Sequence, residues 1–153
     1  MPASPIHAMP LSATLPGTWQ LLSRIDVDAS GQRKAEPSLG DDPVALLIYD
    51  RSGHFAAQFM RRDRSTAVAD APGGGSNNSR ARDGYDAYFG SYSVDDSAGT
   101  VTQQLHGALS RENVGAVLTR AMQVNGDELV IQLQTTASDG TEVTRTLTWR
   151  RVG

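Results

Sequence analysis

The sequence contains no cysteine, which removes disulfides, thiolate nucleophiles and zinc-thiolate sites at once and fits a reducing compartment. Histidine is scarce: the three that occur, His7, His54 and His106, form no His-x-His or His-Glu-x-x-His pattern, so neither a metal nor any other cofactor is expected. An excess of one charge is also missing. Fourteen Lys and Arg against 17 Asp and Glu leave a net charge of -3, with no basic patch for nucleic acid and no acidic tail. No run reaches the ~20 apolar residues that a membrane helix needs. The Gly-x-Ser-x-Gly elbow of serine hydrolases and the Lys-Ser or Lys-Thr of a Walker loop do not occur. Prolines at 2, 5, 10 and 16 interrupt any apolar helix near the start, so residues 1–14 read as a flexible Pro-rich leader rather than a signal peptide. Residues 15–153 then form one domain, large enough to bury roughly 70% of its unfolded surface. A cytoplasmic protein without nucleic-acid or membrane partners is expected, and pairing of two copies into a homodimer stays open.

What the sequence does have is strand signals. They span 18–27, 44–50, 54–61, 85–94, 100–109, 116–124, 128–136 and 142–151, several alternating with period two, as Val101, Gln103 and Leu105 do against Thr102, Gln104 and His106. No segment carries a sustained helical period, and at most a short helical turn fits in the loop 62–84. The class is therefore all-β. Links after the second, fourth and sixth strands are tight, and Asn125-Gly126 supplies the positive φ that a short hairpin demands. Links after the first, third and fifth are long. In an up-and-down meander such an alternation gathers short turns at one end and long loops at the other, which predicts an eight-stranded antiparallel barrel with a closed end and a decorated mouth. The short link 138–140 is an exception on the open side. The glycine-rich stretch 71–79 reads as a lid over that mouth.

Both tryptophans stand at the ends of this series, Gly17-Thr18-Trp19 at its opening and Trp149-Arg150-Arg151 at its close. Together with Leu46-Leu47-Ile48-Tyr49, Ala87-Tyr88-Phe89-Gly90-Ser91-Tyr92 and Gly99-Thr100-Val101-Thr102, they resemble the bacterial and fungal lipocalin-like domain family over about residues 15–151. The resemblance implies a barrel of calycin type with an internal cavity for a small, largely apolar molecule, in a family some of whose relatives act on natural-product intermediates as cyclases or isomerases. It also implies that Trp19 packs at the closed end against Arg150 or Arg151, a cation-π contact of ~1 kcal/mol. Where the family usually has a histidine, this chain has Gln103, which cannot act as a general base near neutral pH.

Period two suggests which side chains face the lumen. If Trp19 points inward, so do Leu21, Ser23 and Ile25. Tyr88 and Tyr92 share one face, Gln103 lies between Val101 and Leu105, and Arg120 stands in line with Leu118 and Met122. His106 falls on the opposite face from Gln103. Asp26, Asp28, Asp41 and Asp42 sit at loop edges and are expected in solvent. The expected ligand-binding set is Ser23, Phe59, Tyr88, Tyr92, Gln103, Arg120, Met122 and Trp149, with Gln103 and Arg120 orienting one polar group of an apolar or amphipathic ligand. No catalytic residue is identified. Three readings remain: a small-molecule binder, a small isomerase, cyclase or lyase using the same cavity, and a structural or oligomerisation barrel filled by its own side chains.

Overall fold

Runs of β-branched and aromatic residues become strands with one buried face. The structure, a computed structural model, describes residues 9–71, 78–137 and 139–153. Residues 1–8 of the leader and 72–77 of the expected lid lie outside the described residues. In chain order the strands are β1 (Gly17–Val27), β2 (Arg33–Lys34), β3 (Val44–Tyr49), β4 (His54–Met60), β5 (Tyr85–Asp95), β6 (Thr100–Ala108), β7 (Val117–Asn125), β8 (Glu128–Thr136) and β9 (Glu142–Arg151). A single helical turn, α1 (Leu11–Thr14), precedes them, and a 3-10 turn (Arg111–Asn113) links β6 to β7. None of the described helices is long and apolar enough to cross a membrane.

Each strand from β3 to β9 pairs antiparallel with the next, β1 pairs with β3, and β1 also pairs with β9. That last pairing closes eight strands into the expected up-and-down barrel. The short β2, not foreseen, adds to the end of β1 that β3 does not reach, through Asp26 and Val27. The tight turns gather at one end. At one of them Gly126, with φ 60°, closes the two-residue link between β7 and β8.

Burial follows the strand period. On β3 and β4 alternate residues Ala45, Leu47, Tyr49, Phe55, Ala57 and Phe59 are buried, and across the barrel Leu129, Ile131, Leu133, Leu147 and Trp149 meet them. Each large side chain so buried contributes about 1.5–3 kcal/mol. Two bulges interrupt the pattern. Between β5 and β6 the register shifts at Phe89 and Gly90, leaving His106 of β6 as the extra residue, and a Cβ on Gly90 would lie 1.8 Å from the Gln104 carbonyl oxygen, so only glycine fits. In β1 the register shifts between Leu21 and Ser23, leaving Leu22 as the extra residue, 51% exposed.

The β1 bulge corrects the expected facing. Beyond it the alternation is inverted: Arg24 and Asp26 are buried, while Ser23 and Ile25 are only half-buried on the other face. Asp26, expected in solvent at a loop edge, is 3% exposed.

The closed end is sealed by the two ends of the barrel sequence. Trp19 is fully buried, and its indole N–H donates to the carbonyl of Leu15 at 3.0 Å. The Arg151 guanidinium lies over the Trp19 ring, 4.3 Å from its centroid, and donates to the carbonyls of Thr14 and of Pro16, the latter at 2.9 Å. Arg151, rather than Arg150, is thus the partner. Replacing it removes one cation-π contact and the partners of two carbonyls, so Arg151→Met is expected to lower stability by about 2–3 kcal/mol in urea unfolding, whereas the exposed Arg150→Met stays within about 0.5 kcal/mol of the parent.

Candidate ligand cavity

The lumen encloses a cavity of about 90 Å³. Leu39, Ser79, Ala81, Thr136 and Ala137 also line it, so it reaches the end that carries the long loops. One part of its wall is apolar, made by Leu47, Phe59, Ile131, Leu133, Leu147 and Trp149, and the rest is polar, with Arg24, Asp86, Gln103, Arg120 and Arg145.

Burying that much charge is costly unless each ion is paired. The β1 bulge solves part of the problem by placing Asp26 directly opposite Arg145 in the β1–β9 ladder. Arg145 donates through Nε to Asp26 Oδ1 at 2.8 Å and through Nη2 to Oδ2 at 3.0 Å, a bidentate pair. Arg24 donates to Glu36 at 3.1 Å, and Glu36 further accepts the N–H of Leu39 at 2.9 Å, the N–H of Ser38 at 3.2 Å and the Ser38 hydroxyl. Burial pushes the Glu36 carboxyl up, but Arg24 and these donors outweigh it and hold the carboxyl below its usual range. Burial, joined by the repulsion of Arg145, brings Arg24 down to about 10 against the pull of Glu36 and Asp26, so it stays charged at neutral pH. Arg120 donates to the Thr119 carbonyl at 3.2 Å, and burial lowers it while Tyr88 and Tyr49 oppose the shift.

The phenols are committed differently. Gln103 donates its amide N–H to the Tyr49 hydroxyl, which donates in turn to Met122 Sδ at 3.9 Å. Burial drives Tyr49 far above the usual tyrosine value, and burial together with Asp86 pushes Tyr88 up to about 12. Both remain neutral donors throughout the physiological range.

Asp86 stands directly opposite Phe59 in the β4–β5 ladder and is 4% exposed. Its Oδ2 accepts the Ser79 hydroxyl at 2.7 Å, while its Oδ1 has no partner. Burial raises this carboxyl above the ordinary value, with Ser79, the Ala87 N–H and Arg24 acting the other way. Trp149 packs edge-on against Phe59 with ring centroids 5.8 Å apart, and its indole N–H has no partner either. The loops that carry Ser79 are tied down around it. Asn78 donates to Thr135 across the mouth at 2.6 Å, and Arg82 bridges Asp70, Glu112 and Ser110.

Six of the residues singled out in the sequence therefore line one cavity: Phe59, Tyr88, Gln103, Arg120, Met122 and Trp149. Two do not. Ser23 is turned away by the bulge at Leu22, and Tyr92 lies toward the closed end, its ring edge-on to Tyr49 at 4.8 Å and its hydroxyl donating to the Asp50 carbonyl at 2.6 Å. His106 is exposed on the outer face, 3.3 Å from the Ser91 hydroxyl, as the facing of β6 required. Four charged lining residues had not been singled out: Arg24, Glu36, Asp86 and Arg145. For Asp86 a signal existed, since period two carried back from Tyr88 reaches it. Arg145 likewise shares a face with Leu147's neighbour pair, Val143 and Trp149. Among the described residues, no group of three His, Cys, Asp or Glu side chains could hold a metal ion.

The chain matches the model of the lipocalin-like domain family over residues 16–152 and belongs to that family. Comparison with curated proteins gave no match.

Two outcomes test the electrostatics of the lumen. The Arg145–Asp26 side chains are 11% and 2% exposed, so Asp26→Asn or Arg145→Met alone strands a buried charge and is expected to cost about 3–5 kcal/mol in urea unfolding, while the double variant costs less than the sum. Asp86 has a folded-state pKa above its unfolded value, so the penalty for its charge is absent below the unfolded pKa and complete above the folded one. Stability of the parent relative to Asp86→Asn should therefore fall as pH rises from the ordinary aspartate range through the raised pKa of Asp86, and a pH-independent difference between the two would contradict the burial of an ionised Asp86.

Proposed function

We propose that the protein binds one small, largely apolar molecule in the lumen of its barrel. One observation carries this reading: the inward side chains leave a cavity of about 90 Å³ beside Phe59, Leu133 and Trp149, where a barrel serving only as a structural element would be filled. Membership of the lipocalin-like domain family, whose barrel suggests small-molecule binding in general, supports it. The size of the cavity sets the scale of the ligand. At about 90 Å³ the space is smaller than the roughly 150 Å³ apolar cavity that admits benzene, so the ligand is a compact single-ring or short-chain molecule that extends toward the open end lined by Leu39, Ser79 and Thr136, its polar end facing Gln103, Arg120 and the other polar groups of the wall.

The prediction is direct. Toluene should bind saturably and with one-to-one stoichiometry in isothermal titration calorimetry, with a Kd of roughly 0.1–1 mM, and Leu133→Trp, which fills the cavity, should abolish binding without unfolding the barrel. Toluene binding that is absent from the parent, or unchanged in Leu133→Trp, contradicts the reading.

A further inference from the structure

A polar atom that is buried and unpaired is rare in folded proteins, because it has lost its water without gaining a partner. Among the described residues three side-chain atoms are in that state: Asp86 Oδ1, Trp149 Nε1 and Asn113 Nδ2. Asn113 belongs to the 3-10 turn and does not line the cavity. Asp86 and Trp149 both line it, being 4% and 1% exposed.

The two atoms are complementary in sense. An indole N–H can only donate, and a carboxylate oxygen accepts. Phe59 neighbours both residues, being opposite Asp86 in the β4–β5 ladder and packed edge-on against Trp149 with ring centroids 5.8 Å apart. The charges nearby narrow the choice. A cationic ligand at Asp86 would meet the field of Arg24, and elsewhere in the lumen Arg120 and Arg145. An anionic ligand would meet Asp86 and Glu36. A neutral donor avoids both penalties.

We infer that the lumen recognises a neutral compound of about one ring that carries a hydroxyl and a carbonyl or ether oxygen, the hydroxyl donating to Asp86 Oδ1 and the other oxygen accepting from Trp149 Nε1. This rests on the reading that the lumen binds a small molecule, and it adds the chemical class and the two anchoring atoms. Recognition of the hydroxyl depends on pH. Asp86 faces Arg24 from β1, Tyr88 on its own strand and the Ser79 hydroxyl, while Glu36, Arg120 and Arg145 complete the charged lining. Arg24, at about 10, and Tyr88, at about 12, keep one state between acid and neutral pH. Glu36 titrates below the ordinary carboxylate range and Asp86 above it, so protonation of Asp86 is the change met first on acidification.

Three probes of similar size separate the two anchors: toluene, which offers neither group, phenol, which offers a hydroxyl, and acetophenone, which offers a carbonyl. Affinities are measured by calorimetry on the parent, Asp86→Leu and Trp149→Phe, with folding of each checked by circular dichroism. The preference for phenol over toluene should fall about tenfold in Asp86→Leu and be kept in Trp149→Phe, and the preference for acetophenone over toluene should show the reverse pattern. On the parent, the phenol preference should also shrink as pH is lowered through the raised pKa of Asp86 while the acetophenone preference stays constant, a readout that survives should Trp149→Phe fail to fold. If toluene binds but neither preference responds to its own variant or to pH, the inference is overturned and the binding function stands. If no probe binds, toluene included, both fall together.

Discussion

Charge inside a barrel of this size must be paired, and the pairing here depends on one inserted residue. Leu22 bulges out of β1, and every side chain beyond it changes face. Without the bulge Ser23 and Ile25 would point inward, and Arg145 on β9 would meet no carboxylate across the ladder. With it, Asp26 is delivered opposite Arg145 and Arg24 is turned toward Glu36. An unpaired guanidinium in that position would face a desolvation penalty of several kcal/mol. The bulge therefore sets the chemistry of the lumen as well as the curvature of the strand.

The consequence is a gradient along the barrel. At the closed end Arg151 spends its guanidinium on the Trp19 ring and on the carbonyls of Thr14 and Pro16. Higher up, Tyr49, Gln103 and Met122 form a neutral chain of donors and acceptors. Toward the mouth come the two ion pairs and then Asp86, held on one oxygen by Ser79. Apolar filling thus gives way to polar groups as the long loops are approached, and the cavity lies where the two meet, so that a ligand finds an aromatic wall and hydrogen-bonding groups together. Family membership accounts for the vessel.

Much of the architecture was legible in the sequence because it follows from local rules. Alternation set the strands, Asn125-Gly126 and its fellow turns set the closed end, and the two tryptophans marked the seam. The facing of β6 was equally legible, since Val101, Gln103 and Leu105 keep strict register. Legibility ended where a single residue altered the period. Nothing in Leu21-Leu22-Ser23-Arg24 announces a bulge, because the register shift arises from pairing with β9, more than a hundred positions away. Ser23 was consequently placed inside and Asp26 in solvent. Tyr92 was misjudged for a different reason: it does share the inner face with Tyr88, but period two gives a face and no height, and at its height the barrel is already closed by Tyr49. Glu36 could not have been found, since it reaches the lumen from a loop with no period at all.

A diffraction measurement with 4-bromophenol bound to crystals of the parent tests most directly the claim that this charged and aromatic lumen is a binding site. The anomalous signal of bromine locates the ligand without reference to its fit. The expected result is one bromine peak inside the barrel among Phe59, Leu133 and Trp149, with the phenol oxygen at Asp86. Bromine found only on the outer surface, with the lumen holding none, would contradict it.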